Sequence, residues 1–138
     1  MSEVVVNGRR LPLSRALVRR VVETVLRGER RDALISITFL GPGAMRRLNA
    51  EHKGSDRPTD VLAFPLEGPA GEIVGDVYIC PAIARQQARA LRIPPKQELI
   101  RLVIHGTLHA LGLEHPEGPG RIRSRMWLRQ ERYVEGLT

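Results

Sequence analysis

The sequence predicts an α+β fold, in which helices pack on a mixed β-sheet within a single domain spanning residues 1–138. The chain length of 138 residues suits one domain. The apolar fraction of 42% and the charged fraction of 27% are ordinary globular values, which exclude a disordered chain, a collagen and a coiled coil. The predicted strands and helices alternate imperfectly, and two helices run in succession, which favours an α+β layer.

The first half of the chain predicts two strands and two helices. A weak alternation of apolar residues runs into Asn7-Gly8 and predicts a short strand and a turn. Ser14 is a suitable N-cap for an amphipathic helix that we expect Gly28 to end. A β-branched run before Gly41 predicts the second strand, and a short helix follows it. The predicted bounds are residues 3–6 and 33–40 for the strands, and residues 14–26 and 44–52 for the helices.

The second half predicts two further strands and three helices. A short apolar run before Pro65 and a longer run interrupted at Gly75 predict the strands. Prolines favour helix starts at Pro81 and at Pro94-Pro95, and we expect Gly112 to end the second of these helices. The predicted bounds are residues 61–64 and 72–80 for the strands, and residues 81–92, 94–111 and 121–134 for the helices.

The charge of the chain favours an anionic partner. The net charge is +7, and apart from Lys53 and Lys96 every basic residue is an arginine. Arginine pairs bidentately with phosphate, which favours nucleic acid, although an arginine-rich genome explains the same composition. Five aromatic residues are too few for base stacking to be the main binding mode. A single cysteine excludes a disulfide framework, and without an apolar run of 18 residues we expect a cytoplasmic protein with no membrane partner.

Three of the four histidines lie within eleven residues, and their spacing predicts a metal site. His105 and His109 are four residues apart on a predicted helix, so both imidazoles project from one face. Gly112 can adopt the left-handed conformation that turns the chain, which can bring His115 back towards this pair. Three neutral imidazoles would fill three positions of a tetrahedral zinc ion and leave the fourth for water, as in catalytic sites.

The remainder of this helix is consistent with a buried metal-binding element. Apolar side chains cover most of its circumference, and a metal would satisfy the polar stripe that contains both histidines. Three core histidines satisfied by carbonyl groups are the alternative. The spacing also matches the metzincin peptidases, but Gly106 stands where their general-base glutamate would be, which argues against a peptidase.

The same residues resemble a known family. The segment from His105 to His115 is similar to the signature H-G-x-L-H-L-x-G-Y-D-H of the YbeY-like rRNA maturation factors, which are metal-dependent single-strand endoribonucleases. Residues 58–65 (PTDVLAFP) resemble the family block P-T-D-V-L-S-F-P, and residues 75–80 (GDVYIC) resemble a third block. The resemblance implies a zinc-dependent endoribonuclease acting at the 3′ end of 16S rRNA and in ribosome quality control. The implied partners are ribosomal RNA and ribosomal subunits, and no DNA partner is expected.

The resemblance also implies roles for individual residues. One Zn²⁺ per chain would be held by His105, His109 and His115, and would activate water and polarise a phosphodiester oxygen. By spacing, Lys53 stands where the family carries an arginine, so Lys53 and then Arg57 are candidate catalytic cations. Glu114 stands where the family has an aspartate and is a candidate orienting residue or proton acceptor. For Lys53 and Glu114, an ordinary solvated side chain is the alternative.

Two groups of arginines are candidate RNA contacts. Arg85, Arg89 and Arg92 recur at i, i+4 and i+7, which would place them on one helix stripe. The second group occupies the predicted C-terminal helix without sharing a face and consists of Arg121, Arg123, Arg125, Arg129 and Arg132. Solvated helix faces are the alternative for both groups. At the level of function, the alternatives to a nuclease are a ribosome-assembly RNA-binding factor with a structural zinc and a small-molecule metallohydrolase.

Overall fold

A four-stranded mixed sheet forms the centre of the computed structural model, which describes residues 2–116 and 118–138. The spatial order of the strands is β1-β2-β4-β3. β2 is parallel to both β1 and β4, with Ile37 paired to Val77, whereas β3 is antiparallel to β4, with Ala63 paired to Val77. The strand bounds are β1 Glu3–Asn7, β2 Ala33–Phe39, β3 Val61–Glu67 and β4 Ile73–Ile79.

Five helices and one 3-10 turn accompany the sheet in the described residues. Their bounds are α1 Arg15–Glu29, α2 Pro42–Lys53, α3 Pro81–Leu91, α4 Pro95–Ala110 and α5 Arg125–Leu137, with a 3-10 helix over Gly118–Arg123. The predicted α+β class is therefore confirmed. In the part of the chain that the structure describes, no helix has the length and apolar character needed to cross a membrane.

α4 is the central helix of the fold. It contacts α1, α3 and α5 as well as β2, β3 and β4, and most of its side chains are buried. Two small residues let it approach β4 closely. A side chain added at Gly106 would overlap Val77, and one added at Gly75 would overlap Ala110. Gly75 of β4 therefore lies directly against the C-terminal end of α4. This close packing fixes the position of the helical turns that carry the histidines.

Several predicted boundaries were wrong, each for a local physical reason. α1 continues through Gly28 to Glu29, because the bare backbone of Gly28 accommodates the ring of Tyr133, and the helix ends at Arg30 in the left-handed conformation (φ 56°). β3 continues through Pro65 to Glu67 rather than ending at residue 64. β3 is an edge strand, where the missing N–H of a proline is tolerated.

The other strands differ from their predicted bounds by one residue at one or both ends, and the larger differences concern helix ends. α2 begins at Pro42 rather than at residue 44 and includes Lys53, and Gly54 follows it with φ 70°. α3 ends at Leu91, and Arg92 has a left-handed backbone (φ 57°), so Arg92 is not part of the helix stripe predicted for Arg85 and Arg89. The predicted helix over residues 121–134 is a 3-10 turn followed by α5, because the Ser124 side chain caps the N–H of Trp127 (3.2 Å).

Candidate metal centre

The three clustered histidines converge on one point. One potential ligand nitrogen from each ring lies within 4.8 Å of the other two. The ring centroids are 4.6 Å apart for His105 and His109, 5.1 Å for His105 and His115, and 5.0 Å for His109 and His115. The structure therefore brings together the three residues that the spacing singled out, in a group that could hold a metal ion.

The turn after α4 brings His115 to the other two rings. The backbone N–H of Gly112 donates to the carbonyl oxygen of His109 (2.9 Å), and that of Leu113 donates to Leu108 (3.1 Å). Gly112 has φ 94°, a conformation that favours glycine. This αL turn ends the helix and reverses the chain, so His115 faces the helix that carries His105 and His109.

The hydrogen bonds of His105 and His115 use Nδ1 of each ring and leave Nε2 available to a metal. His105 Nδ1 lies 2.6 Å from the amide oxygen of Gln130, and His115 Nδ1 lies 3.1 Å from the carbonyl oxygen of Pro116. Both partners only accept, so each Nδ1 carries the proton and each Nε2 keeps a free lone pair. This donor set fits zinc, which takes neutral imidazole nitrogens whose second N–H is held by an acceptor.

Burial keeps the imidazoles of His105 and His109 neutral. Burial is the main reason why the pKa of His109 is lowered to about 4, and the neighbouring His105 and His115 add to the effect. Burial also lowers the pKa of His105, which the hydrogen bond to Gln130 partly opposes. At neutral pH these two rings are uncharged, with one nitrogen free of a proton, which is the form that binds a metal.

A chain of hydrogen bonds behind His105 holds Gln130 in place. The amide nitrogen of Gln130 donates to Glu131 Oε2 (3.0 Å), which fixes the orientation of the amide. Arg101 donates to both oxygens of Glu131 (2.9 and 3.0 Å) and to Glu98 Oε1 (2.8 Å). The polar stripe predicted on α4 is thus satisfied by side chains of α5 as well as by its own members.

A cavity of about 640 Å³ opens over the histidines. Among the residues that line it are Lys53, Glu114 and Arg121. Arg57, the second candidate cation, is not among the lining residues, and its carbonyl oxygen accepts a hydrogen bond from Asn49 (2.8 Å). Of the two candidate cations, Lys53 is the one that the fold places at the cavity.

Asp60 fixes the loop that enters β3. Its Oδ1 accepts from the N–H of Val61 (2.8 Å) and from the hydroxyl of Thr59 (3.3 Å), and its Oδ2 accepts from Gln87 Nε2 (3.1 Å). These bonds tie the start of an edge strand to α3. Thr59 and Asp60 form part of the cavity wall, and the hydrogen bonds of their own side chains hold that part of the wall in place.

Comparison with known proteins now places the chain. The family described as endoribonuclease YbeY matches residues 9–138. The chain belongs to this family. An endoribonuclease YbeY of Chlorobium luteolum is 38% identical over 134 residues, which cover 95% of this chain and 94% of that protein. One from Thermotoga maritima is 34% identical over 114 residues, which cover 83% of this chain and 74% of that protein. A solution structure of a Thermotoga maritima protein superposes with a TM-score of 0.68 at 29% identity, covering 97% of this chain and 88% of that one.

The first group of arginines predicted as RNA contacts of this YbeY-family chain lies outside the cavity over the histidines. Arg85, Arg89 and Arg92 are exposed, and none of them lines the cavity over the histidine cluster. Arg121 is the arginine that does line it.

One residue of the site, Gln130, was missed, and Arg121 was predicted only as one of five arginines near the C-terminus. Gln130 is 1% exposed and lies on the apolar face of α5 between Met126 and Val134, four residues from each. A glutamine at such a position is the signal that it has a buried polar partner. Arg121 has a buried Nε–H with no hydrogen-bond partner in the described residues, and its guanidinium lies 5.1 Å from the centroid of Trp127. Arg121 lies in a 3-10 turn, where the sequence shows no helical periodicity that could predict which way its side chain faces.

Proposed function

We propose that this chain is a zinc-dependent, single-strand-specific endoribonuclease of the cytoplasm that acts on ribosomal RNA in maturation of the 16S 3′ end and in ribosome quality control. The observation that carries the proposal is the open triad of imidazoles with a lysine at the same cavity. Family membership and the net charge of +7 support RNA as the substrate.

Each part of the cavity has a task in this proposal. The zinc ion, when bound to His105, His109 and His115, would lower the pKa of water and polarise a phosphodiester oxygen. The ammonium group of Lys53 would stabilise the negative charge that develops on the phosphoryl oxygens. The carboxylate of Glu114 would orient the attacking water or accept its proton.

The number of ligands favours an enzyme over an assembly factor with a structural zinc. A structural zinc site is closed by four protein ligands, whereas a catalytic site keeps one position open. Within residues 2–116 and 118–138, the metal-binding group contains three histidines and no fourth member.

The proposal is tested by zinc content and cleavage together. Purified protein should carry about one zinc per chain and cleave single-stranded rRNA fragments in preference to duplexes. His109→Ala should lose both the zinc and the cleavage. His52, the fourth histidine, lies outside the cluster with its ring tilted against that of Phe64 (centroids 4.8 Å apart), so His52→Ala should keep its zinc. A protein that holds no metal, or that cleaves RNA equally well after chelation, overturns the proposal.

A further inference from the structure

A second cavity adjoins the candidate metal centre. It has a volume of about 610 Å³ and shares three lining residues with the first cavity, namely Asp60, His105 and Arg121. It extends from these residues between the end of α3, the buried face of α4 and the segment that leads into α5. The two cavities are therefore adjacent compartments that meet at these three residues.

The walls of the second cavity combine apolar surface with hydrogen-bonding groups. The apolar part is formed by Leu91, Ile93, Leu102, Ile122 and Trp127. The polar part is formed by Gln87, Glu98, Arg101, Gln130 and Glu131. Leu91 and Ile122 are 60% and 61% exposed, so part of the apolar wall faces solvent. A planar group with polar edges suits such a lining, because its faces need apolar contacts and its edges need donors and acceptors.

Arg121 and Trp127 form a flat cationic and aromatic pair in this wall. The guanidinium carbon of Arg121 lies 5.1 Å from the centre of the Trp127 ring. The guanidinium group of Arg121 carries several N–H donors that can pair with an acceptor on a ligand in this cavity. Because Arg121 lines both cavities, one side chain touches both compartments.

We propose that the second cavity binds the nucleobase of the nucleotide next to the scissile phosphate. This rests on the proposed ribonuclease function, which places a phosphodiester at the histidine triad. A nucleotide adjacent to that phosphate carries a flat base that reaches a neighbouring compartment. The base packs against the Arg121–Trp127 pair and the leucine and isoleucine side chains, while the polar groups of the wall face its edges. Because one site of this kind binds one base, it adds sequence preference without the extended aromatic platform that the composition excludes.

Intrinsic fluorescence gives a direct test, because Trp127 is the single tryptophan of the chain. The zinc-loaded protein is titrated with the four nucleoside 5′-monophosphates and with ribose 5-phosphate, none of which can be cleaved. We expect saturable quenching by at least one nucleotide and none by ribose 5-phosphate. Equal responses to ribose 5-phosphate and to the nucleotides, or no response to any of them, overturn the proposal.

A pair of matched leucines controls for surface effects. Leu91 lines the cavity and is 60% exposed, whereas Leu128 is 55% exposed and is not among the lining residues. Leu91→Asp should weaken nucleotide quenching, because it places a carboxylate in the apolar wall, and Leu128→Asp should leave it unchanged. If both substitutions weaken the quenching equally, or if neither changes it, the assignment of this cavity as the nucleobase site is contradicted.

Cleavage kinetics connect the cavity with the reaction. An oligoribonucleotide with one abasic position beside the cleavage site should lose roughly 5- to 150-fold in kcat/KM, the equivalent of one stacked base. Trp127→Ala should lose a similar factor on the intact substrate, little more on the abasic one, and should keep its zinc. Trp127→Phe should recover most of the rate. If the abasic substrate is cleaved as fast as the intact one, the base does not enter the cavity. If no RNA is cleaved but nucleotides still quench Trp127, the ribonuclease function fails and the nucleobase site stands.

Discussion

The amide oxygen of Gln130 accepts a hydrogen bond from Nδ1–H of His105, and replacing Gln130 tests how the candidate metal centre is assembled. Gln130→Leu keeps a similar side-chain volume but removes the acceptor that lies 2.6 Å from the imidazole nitrogen. In the metal-free protein, the imidazole can avoid part of the loss by moving its proton to Nε2. With zinc bound, Nε2 would be the ligand atom and the proton would have to stay on Nδ1. The cost of the substitution therefore falls mainly on the metal-bound state.

The size of the effect follows from the burial of His105, which is 7% exposed. A buried N–H without a partner costs about 1–3 kcal/mol. At about 1.4 kcal/mol for each factor of ten, zinc affinity should fall roughly 5- to 150-fold. This range agrees with the roughly 10- to 100-fold losses seen when the hydrogen-bond partner of a metal-ligating histidine is removed.

The assay is a competition for zinc against a chromophoric chelator at neutral pH. Gln130→Glu loses the donor to Glu131 but keeps an acceptor for His105, so it should lose less affinity than Gln130→Leu, which loses both. Gln86→Leu is the matched control, because Gln86 is exposed on α3 and should be replaceable without effect on zinc binding. Zinc binding by Gln130→Leu as tight as that of the unmodified chain would refute the assignment of Nε2 of His105 as a ligand atom.

Three further predictions concern the cation, the charged surface and the packing of α4. Lys53→Ala should lower turnover by roughly 10²- to 10³-fold at unchanged zinc content, and Lys53→Arg should retain activity; a larger loss in Arg57→Ala than in Lys53→Ala would reverse the assignment. Gly106→Ala should lower the free energy of unfolding by about 1–3 kcal/mol in a denaturant titration, because a methyl group there overlaps Val77; an unchanged midpoint would contradict this packing. Joint replacement of the exposed residues Arg85, Arg89 and Arg92 should flatten the salt dependence of RNA binding. An unchanged slope would show that RNA contacts another part of the surface.

The sequence predicts the ends of helices and strands well where a local proline or glycine marks them. Pro95 and Gly112 bracket α4 in the sequence, and the helix runs from Pro95 to Ala110 in the structure. Boundaries are missed where a distant part of the chain decides them. Gly28 stays helical because Tyr133, more than a hundred residues later, packs on it, and Tyr133 also donates to Glu29 (2.5 Å). Local propensity contains no information on that contact.

The candidate site divides in the same way. The histidine triad is predictable because two ligands share a helix face and a glycine turn supplies the third. Gln130 and Arg121 join the site through the packing of α5 and of the turn before it, which a single sequence does not specify. The sequence alone also does not decide whether Lys53 or Arg57 lies at the cavity. Lys53 ends α2 at the cavity, whereas the loop that follows carries Arg57 away from the lining.

Gly106 links the packing of α4 to the chemistry of the cavity. It lies on the side of the helix that faces the sheet, where an added side chain would meet Val77 and Val61. A glutamate at this position would point into the sheet rather than towards the histidines, so the base of a metzincin-type peptidase has no place here. Among the described residues, the cavity offers two carboxylates, those of Asp60 and Glu114. Both oxygens of Asp60 are engaged in holding the β3 loop, which leaves Glu114 as the candidate to take a proton in the proposed reaction. On that proposal, the chain would combine a peptidase-like histidine spacing with a differently placed base.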